Sequence, residues 1–410
     1  MLDLLKIAAV FVLILGLLRL KWNLGLVMLI GGTVLGLLMG LGPVALLETA
    51  WHAAADTTAV SLIVALALIM VLEHILRTTN TLKTLVDALQ RLLGDNRIVM
   101  ALMPAIIGIL PSAGGARFSA PLVEESASGC LVGADRKSFI NYWFRHMWEY
   151  VSPLYPGFIL TAAVTGVSMG RLFVWQAAFS VTVLTAGVVY GFRGVSPAPR
   201  TPSADRSRDV RLIAVSFAPI LAVMILVIAL GVDVALAMSG VVLVLFLLHR
   251  YTPARIYRTL RESISLKTLW LVLGVLIFKG MMEDSGTVDA LPKVLESAGV
   301  PVVLILFVLP FVVGVMTGIT VAYVGITFPL ILPLIATASG PDLGMLAFVF
   351  ASGFAGVMFS PVHLCLVLTK DYFHSPAAPI YRTMLVPESL VVMVALGQML
   401  VLHAGKLVGS

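Results

Sequence analysis

The chain has 410 residues, 60% of them hydrophobic and 12% charged, with a mean hydropathy of +1.05, which excludes an ordinary soluble globular protein and indicates a polytopic membrane protein. Its net charge of +6 lies in short basic clusters between apolar runs, the pattern of cytoplasmic membrane loops and not of a nucleic-acid-binding face. Cys130 and Cys365 are far apart, so neither a disulfide framework nor a zinc site is indicated.

Apolar runs of spanning length fall at about 4–20, 23–42, 57–76, 139–166, 172–192, 211–231, 233–249, 264–282, 342–369 and 383–403, giving about ten full spans. The first run has no small-residue cleavage site before Arg19 and Lys21 and reads as an uncleaved transmembrane helix. Two further segments, 97–128 and 300–337, are interrupted by Gly and Pro. In the first, residues 98–110 would rise about 20 Å as a helix, short of the roughly 30 Å hydrocarbon core, before Gly114 and Gly115. Both segments are therefore expected to be re-entrant helical hairpins, since irregular backbone inside a membrane must be buried in protein or line a cavity. A short amphipathic segment precedes each, at 81–93 and 287–297, with capping residues at its start.

The polar stretch 193–209, RGVSPAPRTPSADRSRD, reads as a linker between two related halves, 1–192 and 211–410. Thr81, Leu85, Leu89, Pro104 and Gly108 match Thr287, Leu291, Leu295, Pro310 and Gly314 at one offset, 206 from Pro104 to Pro310. Beyond the hairpin tips the offset becomes 208: Pro121 matches Pro329, Ser152-Pro153 matches Ser360-Pro361, and Leu160-Thr161 matches Leu368-Thr369. The prolines, the glycine pair and the Ser-Pro pairs carry this register, because leucine matches come cheaply in an apolar chain. Counting Lys and Arg places the linker, the loop at 249–267 and the 77–97 segment in the cytoplasm, and the acidic 283–296 segment outside. That assignment needs both broken segments to enter and leave on one side, which makes the repeats inverted and puts both termini outside. The expected fold is an all-α polytopic membrane protein with two inverted-topology repeats, each with a re-entrant hairpin and a discontinuous helix.

A hairpin tip in mid-membrane presents the carbonyl end of one half-helix and the amide end of the next, suited to a cation and an anion respectively. The tips contain Ser112, Gly114, Gly115 and Arg117 in the first half and Thr317, Gly318 and Thr320 in the second. Arg117 could fork onto a carboxylate, or pair with Glu124 or Glu125. Asn141 to Pro156, NYWFRHMWEYVSPLYP, places Arg145, His146 and Glu149 inside a would-be span, where ionisable groups face a bundle interior, water or one another. Arg145 and Glu149, four apart, suit an ion pair on one helix face. Ser152-Pro153, and in the second half Ser360-Pro361, should break their helices and free carbonyls for a cation such as Na⁺. His146, Glu149 and His363 are the candidates for proton coupling.

At these residues the sequence resembles the ion transporter superfamily, which includes gluconate permeases, dicarboxylate and citrate carriers and the large membrane subunits of TRAP transporters. It looks most like an uncharacterised integral-membrane branch, marked by PSAGGARFSAPLVEE and NYWFRHMWEYVSPLYPG. The resemblance implies a scaffold domain, a homodimer and elevator-type alternating access. By position, the hairpin-tip role of the sodium-dicarboxylate members would pass to Ser112, Gly114 and Gly115 and to Thr317, Gly318 and Thr320, although their Ser-Asn-Thr motif is missing here.

The expected function is secondary transport of a small organic anion across the inner (cytoplasmic) membrane, coupled to Na⁺ or H⁺, without enzymatic activity or any cofactor beyond the coupling ion. An inorganic-ion or cation/proton exchanger on the same scaffold is the alternative. A membrane-embedded hydrolase pairing Ser352 with His363 is disfavoured, because one continuous helix would hold those side chains about 16 Å apart. No GxxxxGK[ST] loop is present, which argues against ATP-driven pumping.

Overall fold

In the computed structural model the described residues are 2–20, 22–112, 115–196, 205–287 and 301–408. Gly114, residues 197–204 of the linker and residues 288–297 of the second amphipathic segment lie outside them. The described residues are helical almost throughout, with one small antiparallel pairing among them, Ala336–Thr337 with Gly340–Pro341.

The first half contains α1 (Leu2–Arg19), α2 (Leu24–Leu38), α3 (Pro43–Ala55), α4 (Thr57–Thr78), α5 (Thr81–Leu92), α6 (Asn96–Ile107), α7 (Gly115–Ser126), α8 (Ala134–Arg145), α9 (Pro156–Thr165) and α10 (Met169–Phe192). The second contains α11 (Arg206–Met224), extended by a π-helical turn at Ile225–Ala229, then α12 (Val234–Leu248), α13 (Pro253–Ser263), α14 (Leu266–Asp284), α15 (Val302–Thr317), α16 (Thr320–Ile331), α17 (Leu343–Met358), α18 (Leu364–Phe373) and α19 (Ala377–Val408).

Local chemistry sets many of these boundaries. Asp56, Asp95, Asp233 and Asp342 each accept a backbone N–H at the start of a helix, which satisfies donors that a helix leaves open. Pro43, Pro156 and Pro253 stand in first turns, where a missing N–H costs nothing. Gly318 ends α15 with φ +63, and an added Cβ there would meet His363 N and Ser360 Oγ, each at 2.9 Å. Both the left-handed backbone and the close approach call for glycine.

Four helices among the described residues are long and apolar enough to cross a membrane alone: Thr57–Thr78, Met169–Phe192, Arg206–Ala229 and Ala377–Val401. α13 and α14, bent by 61°, would add a fifth if counted as one span. This revises the expected ten full spans. The runs at 139–166 and 342–369 are interrupted, and those at 23–42 and 233–249 form helices of only 15 residues. The basic stretch at 249–267, expected as a loop, contains α13, and the C-terminal end of the expected linker is already helical from Arg206.

Helix contacts fall into two main groups. α2 lies along α14 and α4 along α12, while α5 packs on α11, where Arg91 binds Asp209 at 2.7 Å. In the other group α6 packs on α7 and α8, α15 on α16 and α17, and α10 on α19. The short helices cross between halves: α16 packs on α9, and α18 packs on α7. The same spacings recur along the chain. α9 and α18 are each 10 residues long and begin 208 positions apart, as do α10 and α19; α6 and α15 begin 206 apart.

Candidate functional site

The two interrupted helices and the two helix pairs meet at one buried centre. α8 stops at Arg145, and residues 146–151 form turns before Ser152. Arg145 and Glu149 therefore do not share a helix face, and the ion pair expected from their spacing is replaced by separate partners. Glu149 Oε2 accepts from Thr320 Oγ1 at 2.6 Å. Arg145 Nη2 donates to Ser112 O at 3.1 Å and Ser112 Oγ at 3.2 Å. Arg145 is 3% exposed, and its Nη1 has no hydrogen-bond partner.

Glycines bring backbones close enough for these contacts. A Cβ on Gly115 would collide with Ser112 Oγ and both terminal nitrogens of Arg145; one on Gly108 would collide with the Arg145 carbonyl; one on Gly157 would strike Thr320 Cγ2. Matching contacts occur in the second half. Gly314 approaches the Gly353 carbonyl and Gly356 the Phe311 carbonyl, at the positions equivalent to Gly108 against Arg145 and Trp148 against Ala105. Trp148 Nε1 donates to Ala105 O at 2.9 Å. Ser152 Oγ accepts from Leu154 N, and Ser360 Oγ accepts from Val362 N, each at 3.3 Å.

Several carbonyls at the tips and breaks are engaged by buried donors. Tyr155 OH donates to Gly108 O, Ser360 Oγ to Val315 O at 2.7 Å, Tyr142 OH to Met358 O at 3.0 Å, and Asn141 Nδ2 to Ala116 O at 3.1 Å. Thr317 Oγ1 is spent on Val313 O at 2.8 Å within its own helix. Pro153 is buried, while Pro361 is exposed.

His146 and His363 are in direct contact, Nε2 to Nε2 at 3.0 Å, and Glu149 Oε1 lies 3.9 Å from His146 Nε2. Cys365 joins them: one ligand atom from each of His146, His363 and Cys365 lies within 4.8 Å of the others. The separation of the two cysteines in the chain gave no hint of this grouping, which joins Cys365 to two histidines and not to Cys130. Ser352 Oγ donates to Phe348 O at 2.7 Å, so its hydroxyl is committed within its own helix.

The structure separates Arg117 from this centre. Arg117 is exposed beside Phe118, and Glu124 binds Lys137 at 2.7 Å instead. Helical geometry explains the change: Gly115 and Ala116 turn the packed face of α7 inward, and the next two positions point away. Sequence reasoning missed Asn141, Tyr155, Cys365 and the buried Glu388 on α19. The signal for Cys365 was its place two residues after His363, directly beyond the Ser-Pro break.

A cavity of about 1470 Å³ opens beside α9. Its wall carries Asp56, Asp233, Glu283 and Asp284 with Lys279, and it reaches Ile159, two residues beyond Gly157. At the start of α6, Arg97 holds the Asp95 carboxyl below the usual carboxylate range through their side-chain hydrogen bond.

The family described as Protein of unknown function (DUF401) matches residues 2–403, which include both helix pairs and both interrupted helices. No curated protein matches the sequence. The chain belongs to the DUF401 family.

Proposed function

We propose that the protein is a secondary transporter of a small organic anion, a carboxylate, coupled to Na⁺ or H⁺ and working by elevator-type alternating access. The observation that carries the reading is Arg145. A guanidinium buried in a membrane protein is costly unless its charge is matched, and this one has a terminal nitrogen with no partner. It lies against Gly115 at the amide end of α7, so a fixed cation and a helix N-terminus converge where a carboxylate would be held. Arg145 takes the role first expected of Arg117.

The two-repeat architecture supports the same reading. The equal spacings, the matched glycine contacts and the paired Ser-Pro breaks fit two repeats, and the charge bias along the loops fits their inversion. In this arrangement α6–α7 and α15–α16 are re-entrant hairpins, and the scaffold is the α2, α4, α12 and α14 group. A homodimer in the inner membrane, with the linker cytoplasmic and both termini outside, completes the proposal.

A second reading, an inorganic-cation or cation/proton exchanger, is favoured by the four carboxylates around the α9 cavity, since an acidic mouth concentrates cations. A thermal-shift screen separates the two. Purified protein is tested with gluconate, succinate, citrate and glutamate, in Na⁺ and in choline, because a ligand that binds the native state raises its stability. Stabilisation by one carboxylate class, lost in Arg145→Ala, supports the anion reading. Stabilisation by cations alone supports the exchanger.

A further inference from the structure

The contact between His146 and His363 carries information about what lies between them. Each ring directs Nδ1 at a backbone carbonyl, His146 at Tyr142 O at 2.6 Å and His363 at Gly318 O at 2.7 Å. A carbonyl can only accept, so each Nδ1 bears the hydrogen and each neutral ring turns the lone pair of Nε2 inward. Two such lone pairs at 3.0 Å repel, and a positive charge between them turns the contact into a favourable one.

A shared proton needs only the two nitrogens, but Cys365 places a sulfur beside both. Three donors converge instead, within 4.8 Å of one another. Zinc bonds of about 2.0–2.3 Å to nitrogen and sulfur place neighbouring ligand atoms of a tetrahedral site about 3.3–3.8 Å apart, so the group needs shifts of well under a residue's width to close on an ion. Both rings already have the outer hydrogen bond from Nδ1 that orients metal-binding histidines. Two imidazoles and one thiolate favour a thiophilic transition metal over Na⁺, Mg²⁺ or Ca²⁺, which prefer oxygen.

We propose that His146 Nε2, His363 Nε2 and Cys365 Sγ bind one divalent transition-metal ion of the Zn²⁺ class, with Glu149 beside the fourth position. The ion joins the interrupted helix of one half to that of the other and fixes their relative placement. This site does not depend on the transport reading, since metal binding and carboxylate binding can each fail without the other.

The test uses the full-length protein purified in detergent without chelators. Metal content is measured by plasma mass spectrometry; the stripped protein is then titrated with Co²⁺ as an optical probe and Zn²⁺ as competitor. The expected result is one bound ion per chain and a thiolate-to-Co²⁺ charge-transfer band that is absent in Cys365→Ser and retained in Cys130→Ser. His363→Ala should weaken Zn²⁺ at least about 10- to 100-fold, as loss of even an outer-shell partner does. Size-exclusion profiles show which variants remain folded, and the Cys365→Ser comparison suffices if His363→Ala does not fold. Wild-type protein with neither a thiolate band at saturating Co²⁺ nor stoichiometric metal would overturn the site and leave the pair holding a proton alone. A band unchanged in Cys365→Ser would also overturn it.

Discussion

His146 and His363, 217 positions apart in the chain, meet through their Nε2 atoms at 3.0 Å. His363 stands where the register between halves aligns it with Tyr155, and each side chain binds the carbonyl of a glycine that caps a helix C-terminus, Gly318 O and Gly108 O respectively. The two halves thus hold their helix pairs from matching sequence positions with different chemistry. The second half gains a ring nitrogen that reaches across to the first.

Arg145→Ala should abolish stabilisation by a carboxylate while Arg145→Lys retains part of it. A charge-assisted hydrogen bond contributes about 1.5–3 kcal/mol, so affinity should fall roughly 10- to 150-fold. Lysine keeps the charge but not the planar fork. Equal binding in wild type and Arg145→Ala, read by thermal shift, would remove Arg145 from the anion site.

Arg117→Ala should leave carboxylate binding unchanged and alter stability by no more than about 0.5 kcal/mol, the usual range for exposed positions. A loss of binding as large as that of Arg145→Ala would restore Arg117 to the site.

Gly356→Ala should destabilise the protein by about 1–3 kcal/mol, since its methyl must displace the Phe311 carbonyl and the helices that carry it. Gly240→Ala is the control. It lies within α12 with nothing inside 4 Å of an added Cβ, and should be neutral or stabilising. Thermal unfolding midpoints in one detergent give the comparison, and a neutral Gly356→Ala would show that α15 and α17 pack less closely than described.

Asp95→Ala should cost about 1 kcal/mol through loss of the α6 cap. The Asp95 carboxyl is held below its ordinary value, chiefly by Arg97. Its stabilising contribution is therefore fully present above the unfolded value of about 3.9 and is lost as the pH falls through the lower folded value. Wild type and variant should differ at neutral pH and converge in acid. A difference that grows on acidification would contradict the assignment.

Much of the frame is legible in the sequence. Hydropathy marked the long helices, and Gly and Pro marked the helix pairs and the Ser-Pro interruptions, because each acts through local backbone geometry. Which face of α7 turns inward was not legible, since two glycines hide the direction that follows them. The partners of Arg145 and Glu149 were misread for a related reason. Their spacing implies contact only if the helix continues, and it stops at Arg145. Cys365 and Glu388 depend on contacts between distant segments, which no periodicity reports.

The most direct measurement is uptake into proteoliposomes of the carboxylate that gives the largest thermal shift, under an imposed Na⁺ or H⁺ gradient. Accumulation that collapses with the gradient and is lost in Arg145→Ala, but not in Arg117→Ala, is the predicted result. No uptake by folded protein under either gradient, or uptake unaffected by Arg145→Ala, would contradict it.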